Sequence, residues 1–251
     1  MAFLHETPIQ PLDVILFRGV DPVSRAICFF EAKRLGRGDF SHIGLAITRE
    51  ALDLPFLEPG KVYVWESTLS APAGFFARFT DKVPDRETEG VRFGVQIRDL
   101  ELVVPAYASS GGKVAWSRFL GPRPAIHVLR PHLHALHEEY GHVPYTHNLF
   151  ALFSVVYPAL RPARDAFSRA EDRLAHFVGH VLRRAREDAP VDHPEHHMFC
   201  SEWVGTVFAR LGIAKPDFDA HLAAPVTPLL RPEGFAEPVY LEVPDAGGSQ
   251  S

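Results

Sequence analysis

The sequence predicts an α+β fold in which a small antiparallel sheet packs against helices. Short apolar segments typical of buried strands and longer amphipathic segments typical of helices are both present, and they are grouped along the chain. Strict alternation of the two would instead favour a doubly wound parallel sheet. We expect a single domain over residues 1–244, with a helical insertion at about 148–190 and a disordered tail at 245–251.

The amino-terminal segment predicts a strand followed by a helix. The apolar run Leu12–Phe17 (LDVILF) is typical of a buried strand. Asp21 can cap a helix whose first position is Pro22, a residue that suits the first helical turn. Gly36 and Gly38 are expected to end this helix.

Three further segments have strand character. Residues 41–48 (SHIGLAIT) and 61–66 (KVYVWE) predict two strands, the second with clean alternation. Residues 125–129 (AIHVL) predict another. Residues 67–90 lack a clear period and predict a long loop.

The carboxy-terminal part predicts helices. Asn148–Tyr157 and Pro162–Glu187 form a predicted helical pair interrupted by prolines, and they make up most of the insertion. Phe199–Leu211 predicts a further helix with an apolar face, and Gly212 is its stop signal.

The composition is that of a globular protein with no general affinity for polyanions. Of the 251 residues, 46% are hydrophobic and 23% charged, and the net charge is −5 with histidine neutral. This charge gives no general attraction for nucleic acid or anionic membranes. No glycine-rich phosphate loop is present, so no cofactor is predicted.

The cysteine content and the termini predict a soluble protein of a reducing compartment, the cytoplasm. The cysteines, Cys28 and Cys200, form no CxxC pair, which argues against a disulfide scaffold or a thiolate zinc site. The start, MAFLHETPIQ, lacks the basic and apolar regions of a signal peptide. The longest apolar stretch, Leu149–Leu160, is shorter than the ~20 residues that a membrane-spanning helix needs.

Cys200 is the candidate nucleophile. It lies in the first turn of the predicted last helix, where the positive end of the helix dipole and free backbone N–H groups favour a thiolate. Cys28 lies in the apolar middle of its helix and is expected to be a small buried side chain. Most free cysteines are of that second kind, so the helix position alone leaves both roles open for Cys200.

His42 and Glu66 can complete a catalytic triad with Cys200. A histidine at the start of a strand can take the thiol proton, because its ordinary pKa is about 6.5. Glu66 ends the next strand, and its carboxylate can orient the imidazole if the two strands are neighbours. Asp13 is the competing carboxylate, and we expect it to contribute mainly to stability.

Several segments together resemble a known enzyme family. They are LDVILF, FSHIGLAI, VYVWES, GHVPYTHNLF and FCSEWVGTVF, in this order. The combination resembles the permuted papain-like amidases of the YiiX/YaeF group, in the NlpC-type cysteine peptidase superfamily, which is related to the lecithin–retinol acyltransferases. Ordinary papain-like enzymes carry the cysteine before the histidine. Here His42 precedes Cys200, which is the order that a circular permutation produces.

The resemblance implies a circularly permuted papain-like fold and a role for each matched residue. Cys200 would be the nucleophile, His42 the base and Glu66 the residue that orients it. Tyr145 and Ser201 would contribute to the oxyanion or substrate site. The implied activity is that of a cysteine hydrolase that cleaves an amide or ester bond in a peptide, lipopeptide or lipid-like substrate through an acyl-enzyme.

Histidines are dense near the last helices, but their spacing does not predict a metal site. His132, His134 and His137 form no pair at i and i+4, and no HExxH motif occurs. Solvated surface histidines are therefore the favoured interpretation. Metal-dependent hydrolysis by this cluster stays as an alternative that metal analysis of the purified protein would test.

Two alternatives share the predicted fold. The same triad would serve a lipid acyltransferase or thioesterase, and the sequence does not separate these from a hydrolase. A non-catalytic lipid- or peptide-binding module is the other, although it would not need Cys200, His42 and Glu66 together. The apolar and arginine-rich insertion further suggests a peripheral contact with a membrane surface.

Overall fold

The computed structural model of the chain describes residues 2–69, 83–90, 93–143, 198–214 and 234–242. Its strands are β1 Ala2–Phe3, β2 Val14–Arg18, β3 His42–Thr48, β4 Val62–Leu69, β5 Phe93–Asp99, β6 Lys113–Ser117 and β7 Val239–Glu242. Its α-helices, within the described ranges, are α1 Pro22–Leu35, α2 Leu100–Ser109, α3 Ile126–Tyr140 and α4 Cys200–Arg210. A short 3-10 turn, Leu4–Glu6, follows β1.

The strands form one sheet in the order β1-β7-β6-β2-β3-β4-β5. The strands from β2 to β7 pair antiparallel, and β1 joins the edge parallel to β7. The architecture is therefore α+β with a largely antiparallel sheet, as predicted, and its antiparallel part has six strands. In the centre of the sheet, Phe17 of β2 pairs with His42 of β3, and Leu45 of β3 pairs with Trp65 of β4.

Helices cover both faces of the sheet. On one face α3 and α4 pack on alternate residues of the central strands, and this core includes Leu45, Trp65 and Trp203. On the other face α2 packs on the intervening residues, with Val64 and Val103 among them. The period of two along each strand places successive side chains in these two separate cores. The central strands are thereby buried on both sides, which explains their continuous apolar runs.

The predicted amino-terminal helix is confirmed, together with its boundaries. Asp21 caps it, because its Oδ1 accepts a hydrogen bond from the Ser24 N–H at 2.9 Å. Pro22 is the first helical residue. Gly36 follows the last helical residue with φ +74°, the left-handed conformation that glycine adopts without strain.

The strand predicted at residues 125–129 is wrong, because this segment begins helix α3. Ile126 and Val128, which suggested a strand, are exposed at 37% and 45%. The buried residues of α3 recur at helical spacing instead, with Leu129, Leu133 and Leu136 among them. A five-residue window was too short to separate the two periods.

The long loop predicted at 67–90 is wrong in its first part, because β4 continues to Leu69. The strands on either side of the site, β2, β3 and β4, otherwise fall where the sequence predicts them, and so does α4. The insertion at 148–190 and the tail at 245–251 lie outside the described residues.

Candidate active site

His42 and Glu66 lie in contact at the centre of the sheet. Their strands β3 and β4 are hydrogen-bonded neighbours. The His42 Nε2 atom is 2.5 Å from Glu66 Oε2, so that the ring N–H donates to the carboxylate. The other ring nitrogen, Nδ1, is left to face a reaction partner. The expected contact between the histidine and the carboxylate is present in the structure.

Glycine at position 44 allows this contact. A Cβ atom at Gly44 would lie 2.4 Å from Val64 Cγ2 and 3.0 Å from Glu66 Cβ. The first distance is too short for a methyl group and the second is unusually tight, so a side chain here would force Val64 or its strand to shift. The glycine in the segment FSHIGLAI therefore has a steric reason in this fold.

Arg98 holds the second oxygen of the Glu66 carboxylate. Its Nε lies 2.6 Å from Glu66 Oε1, and the exposed fractions of the two side chains are 1% and 0%. Arg98 belongs to β5, where it pairs with Val64 of β4. The two oxygens of Glu66 are thus bonded to His42 and Arg98, which fixes the carboxylate in the plane that the imidazole needs.

Cys200 is the first residue of α4, with Phe199 as the N-cap. The first i to i−4 hydrogen bond of the helix runs from the Trp203 N–H to the Phe199 carbonyl oxygen. The Cys200 N–H lies before it and has no partner within the helix. The Glu202 carboxylate accepts a hydrogen bond from the Phe199 N–H at 3.4 Å and supports this end of the helix. Cys200 is 2% exposed. The thiol therefore lies at the positive end of a helix in a largely dry environment.

The structure brings Cys200 and His42 together. The Cys200 side chain forms a hydrogen bond with the imidazole and interacts with it electrostatically. Because Nε2 is engaged by Glu66, Nδ1 is the ring nitrogen that remains available to the thiol. Cys200, His42 and Glu66 form a continuous chain of contacts in the order required of nucleophile, base and orienting carboxylate.

Charges in the site favour a protonated imidazole. Burial alone would lower the pKa of His42, but Cys200, and after it Glu66, outweigh burial and raise this pKa to about 10. Burial would likewise raise the pKa of Glu66. The Arg98 charge, followed by that of His42, reverses this effect and holds the Glu66 pKa below its ordinary value. An imidazolium is thus favoured at His42, next to Cys200.

The surroundings of Asp13 and Cys28 fit a role in the stability of the fold and not in the proposed triad. Asp13 is fully buried, and it accepts hydrogen bonds from the Trp116 Nε1–H at 2.8 Å and the Phe119 N–H at 2.8 Å, besides an ion pair with Arg123. These contacts tie β2 to the segment around β6. Burial and the nearby Glu31 carboxyl raise the pKa of Cys28 to about 11, which suits an unreactive thiol.

The other predicted site residues are Ser201 and Tyr145. Ser201 is buried in the first turn of α4, next to Cys200 in the chain. Its part in an oxyanion or substrate site stays a prediction. Tyr145 lies outside the described residues.

Glu31 is a site residue that the sequence analysis missed. It belongs to α1, is 1% exposed, and interacts electrostatically with Cys200. Neither carboxyl oxygen has a hydrogen-bond partner in the structure as described. Burial, and then the charges of Cys200 and Asp39, raise the pKa of Glu31 to about 9, so this carboxyl is protonated at neutral pH. A glutamate in a helix rich in charged residues gave no signal of such burial.

Comparisons with known proteins identify no relative for this site. No protein-family model matches the chain. No curated protein matches it at a significant level either. Within the ranges that the structure describes, no helix is both long enough and apolar enough to cross a membrane.

Proposed function

We propose that the protein is a cysteine hydrolase that cleaves an amide or ester bond through an acyl-enzyme on Cys200. The observation that carries this proposal is the position of His42, which lies between the Glu66 carboxylate and the Cys200 thiol. A histidine held in this way can keep the thiol ionised and later return the proton to a leaving group. We further propose that the α+β fold is a permuted papain-like one, since His42 precedes Cys200 in the chain.

The proposed reaction begins with the proton of Cys200 on His42. The sulfur attacks the carbonyl carbon, and the C=O electron pair moves to the oxygen. The C–N or C–O bond breaks when this oxyanion collapses, and the imidazolium gives its proton to the departing amine or alcohol. Water, activated by the neutral imidazole, then attacks the thioester and releases the acid. Glu66 stays ionised throughout, and Arg98 holds it in place.

The test is the pH dependence of alkylation by iodoacetamide, followed by intact mass. We expect Cys200 to react at pH values well below ~8.5, the usual midpoint of a free cysteine. The raised pKa of His42 provides the reason, because an imidazolium persists beside the sulfur over this range. Cys28 is the internal control, and its raised pKa predicts slow reaction below about pH 10.

Two variants make the result specific. His42→Ala should move the alkylation profile of Cys200 upward toward that of a free thiol, and Cys200→Ala should abolish the fast adduct. Equal rates for both cysteines, or a profile that His42→Ala leaves unchanged, would contradict the proposal and favour a binding module. Treatment of the wild type with libraries of amides, esters and thioesters, read as acyl adducts on Cys200, would then define the substrate class.

A further inference from the structure

A buried carboxyl with no hydrogen-bond partner lies within electrostatic range of the candidate nucleophile. Glu31 is 1% exposed, and both of its oxygens lack a hydrogen-bond partner in the described structure. A buried polar group that is left without a hydrogen-bond partner destabilises the folded state. The proposed reaction uses Cys200, His42 and Glu66 and leaves this group without a part. Because Glu31 interacts electrostatically with Cys200, an acyl group bound at the sulfur could supply the missing hydrogen bond.

The packing of α1 holds Glu31 next to the segment that leads into His42. A Cβ atom at Gly38 would lie 1.9 Å from the Cys28 backbone oxygen and 2.8 Å from Ala32 Cβ. These two residues flank Glu31 on the helix. The chain between α1 and β3 therefore lies directly against the turn of α1 that carries Glu31, and the carboxyl interacts electrostatically with Cys200 as well.

We propose that Glu31, as a carboxylic acid, donates a hydrogen bond to the carbonyl oxygen of the acyl group that Cys200 attacks. This inference rests on the proposed hydrolase function and adds a side-chain donor to its oxyanion site. The Cys200 N–H, which precedes the helical ladder, supplies a backbone donor from α4. No proton is transferred from Glu31, and the leaving group still receives its proton from His42.

The protonation state of Glu31 agrees with a role as hydrogen-bond donor. The groups that act on Glu31 are Cys200 on α4 and Asp39 in the following loop. With burial they raise its pKa to about 9, so the group carries a proton to donate at neutral pH. A neutral buried carboxylic acid is a strong donor toward a developing oxyanion.

The test compares two reactions of Cys200 in a Cys28→Ala background, so that Cys200 is the only thiol that can react. Acylation by p-nitrophenyl acetate passes through an oxyanion, whereas alkylation by iodoacetamide displaces iodide at a saturated carbon and forms none. We expect Glu31→Leu to slow acylation on the order of 10²-fold, the usual effect of losing an oxyanion donor. Alkylation should change little.

Two further variants separate the donor from the charge. Glu31→Gln keeps an N–H donor and should retain most of the acylation rate. In the wild type, acylation relative to alkylation should fall above about pH 9, where Glu31 loses its proton, and this fall should be absent in Glu31→Gln. Asp39→Asn removes a neighbouring charge without removing a donor, so it should leave the ratio unchanged at pH 7 and move its alkaline fall to lower pH.

The outcomes are distinct. Equal losses in acylation and alkylation, or a Glu31→Gln chain as slow as Glu31→Leu, would overturn the inference and assign Glu31 an effect on the thiolate or on folding. An unchanged acylation rate in Glu31→Leu would overturn it while the hydrolase proposal stands. Failure of the wild type to form an acyl adduct on Cys200 would remove the proposed function, and this inference with it.

Discussion

Glu66 is the residue on which both the proposed reaction and local stability depend. One fully buried carboxylate contacts the imidazole of His42 and the guanidinium of Arg98. A buried ion pair is expensive to break from one side, since the remaining charge keeps its cost of burial. A substitution at Glu66 therefore changes two properties that must be measured separately.

We expect Glu66→Gln to slow acylation of Cys200 by orders of magnitude and also to lower the melting temperature. The amide can stabilise the wrong tautomer of His42. It also leaves the Arg98 guanidinium, 1% exposed, facing a neutral group, at a cost of about 3–5 kcal/mol. The double variant Glu66→Gln/Arg98→Met should recover much of the stability and none of the rate. Thermal unfolding and acylation rates measure the two effects.

Asp13 provides the matched control for this prediction. Its carboxylate is as buried as that of Glu66, but its bonds run to Trp116, Phe119 and Arg123. Asp13→Asn should lower the melting temperature while the folded fraction keeps its acylation rate. A well-folded but inactive Asp13→Asn chain beside an active Glu66→Gln chain would mean that Glu66 is not the orienting carboxylate.

Some residues of the candidate site can be predicted from the sequence and others cannot, for a physical reason. His42 and Glu66 end or begin apolar runs, and Cys200 begins a helix, so a local pattern marks each of them. Arg98 acts through the pairing of β4 with β5, which brings residues far apart in the chain together. Glu31 depends on how α1 packs, and charged helical residues are usually solvated.

At the scale of elements, the pairing of β3 with β4 determines the geometry of the site. The strands approach closely at Gly44, and the Glu66 side chain lies where a Cβ of residue 44 would be crowded. This approach sets the distance between the imidazole and the carboxylate. Backbone geometry is thus as important here as the identity of the side chains.

We expect Gly44→Ala to reduce both stability and acylation of Cys200. The added methyl would lie 2.4 Å from Val64 Cγ2, and overpacking of this kind costs about 1–3 kcal/mol. Gly90→Ala is the control, because its nearest neighbours would lie at an ordinary 3.8 Å and a surface change costs less than about 0.5 kcal/mol. Melting temperatures and acylation rates check both variants. A normal rate in Gly44→Ala would show that the site tolerates a shifted β4.

The elements that the sequence predicts well are those with strong local signals. The capping residue Asp21 and the glycine at 36 define α1, and continuous apolar runs define β2 and β3. Strands β5, β6 and β7 were not predicted, because their stability comes from pairing with distant strands more than from their own composition. The start of helix α3 resembles a strand in the sequence, because the apolar Ile126 and Val128 alternate with His127 although both are exposed.

At the scale of the whole molecule, buried titratable groups couple stability to pH. The lowered pKa of Glu66 stabilises the fold above its ordinary value of 4.5, and this contribution is lost as the pH falls. The raised pKa of His42 stabilises the fold below 6.5, and this contribution is lost as the pH rises toward about 10. The raised pKa of Glu31 likewise stabilises the fold below 4.5, and this contribution is lost as the pH rises toward about 9.

These signs predict that the free energy of unfolding is greatest near pH 5 and declines through neutral to alkaline pH. Between 4.5 and about 9, Glu31 is protonated in the folded chain and ionised in the unfolded one. Over this range it contributes a slope of up to roughly −1.4 kcal/mol per pH unit. Urea unfolding from pH 4 to pH 9 measures the curve.

Glu31→Gln isolates the contribution of this carboxyl, because the glutamine side chain does not titrate. We expect the variant to be more stable than the wild type at pH 8 and to differ from it less at pH 5. The difference between the two curves cancels the contributions of His42 and Glu66, which both chains share. Parallel curves would mean that the unfolded and folded chains ionise Glu31 alike. The carboxyl would then be charged at neutral pH, and a hydrogen bond donated from Glu31 to a substrate would have no proton to use.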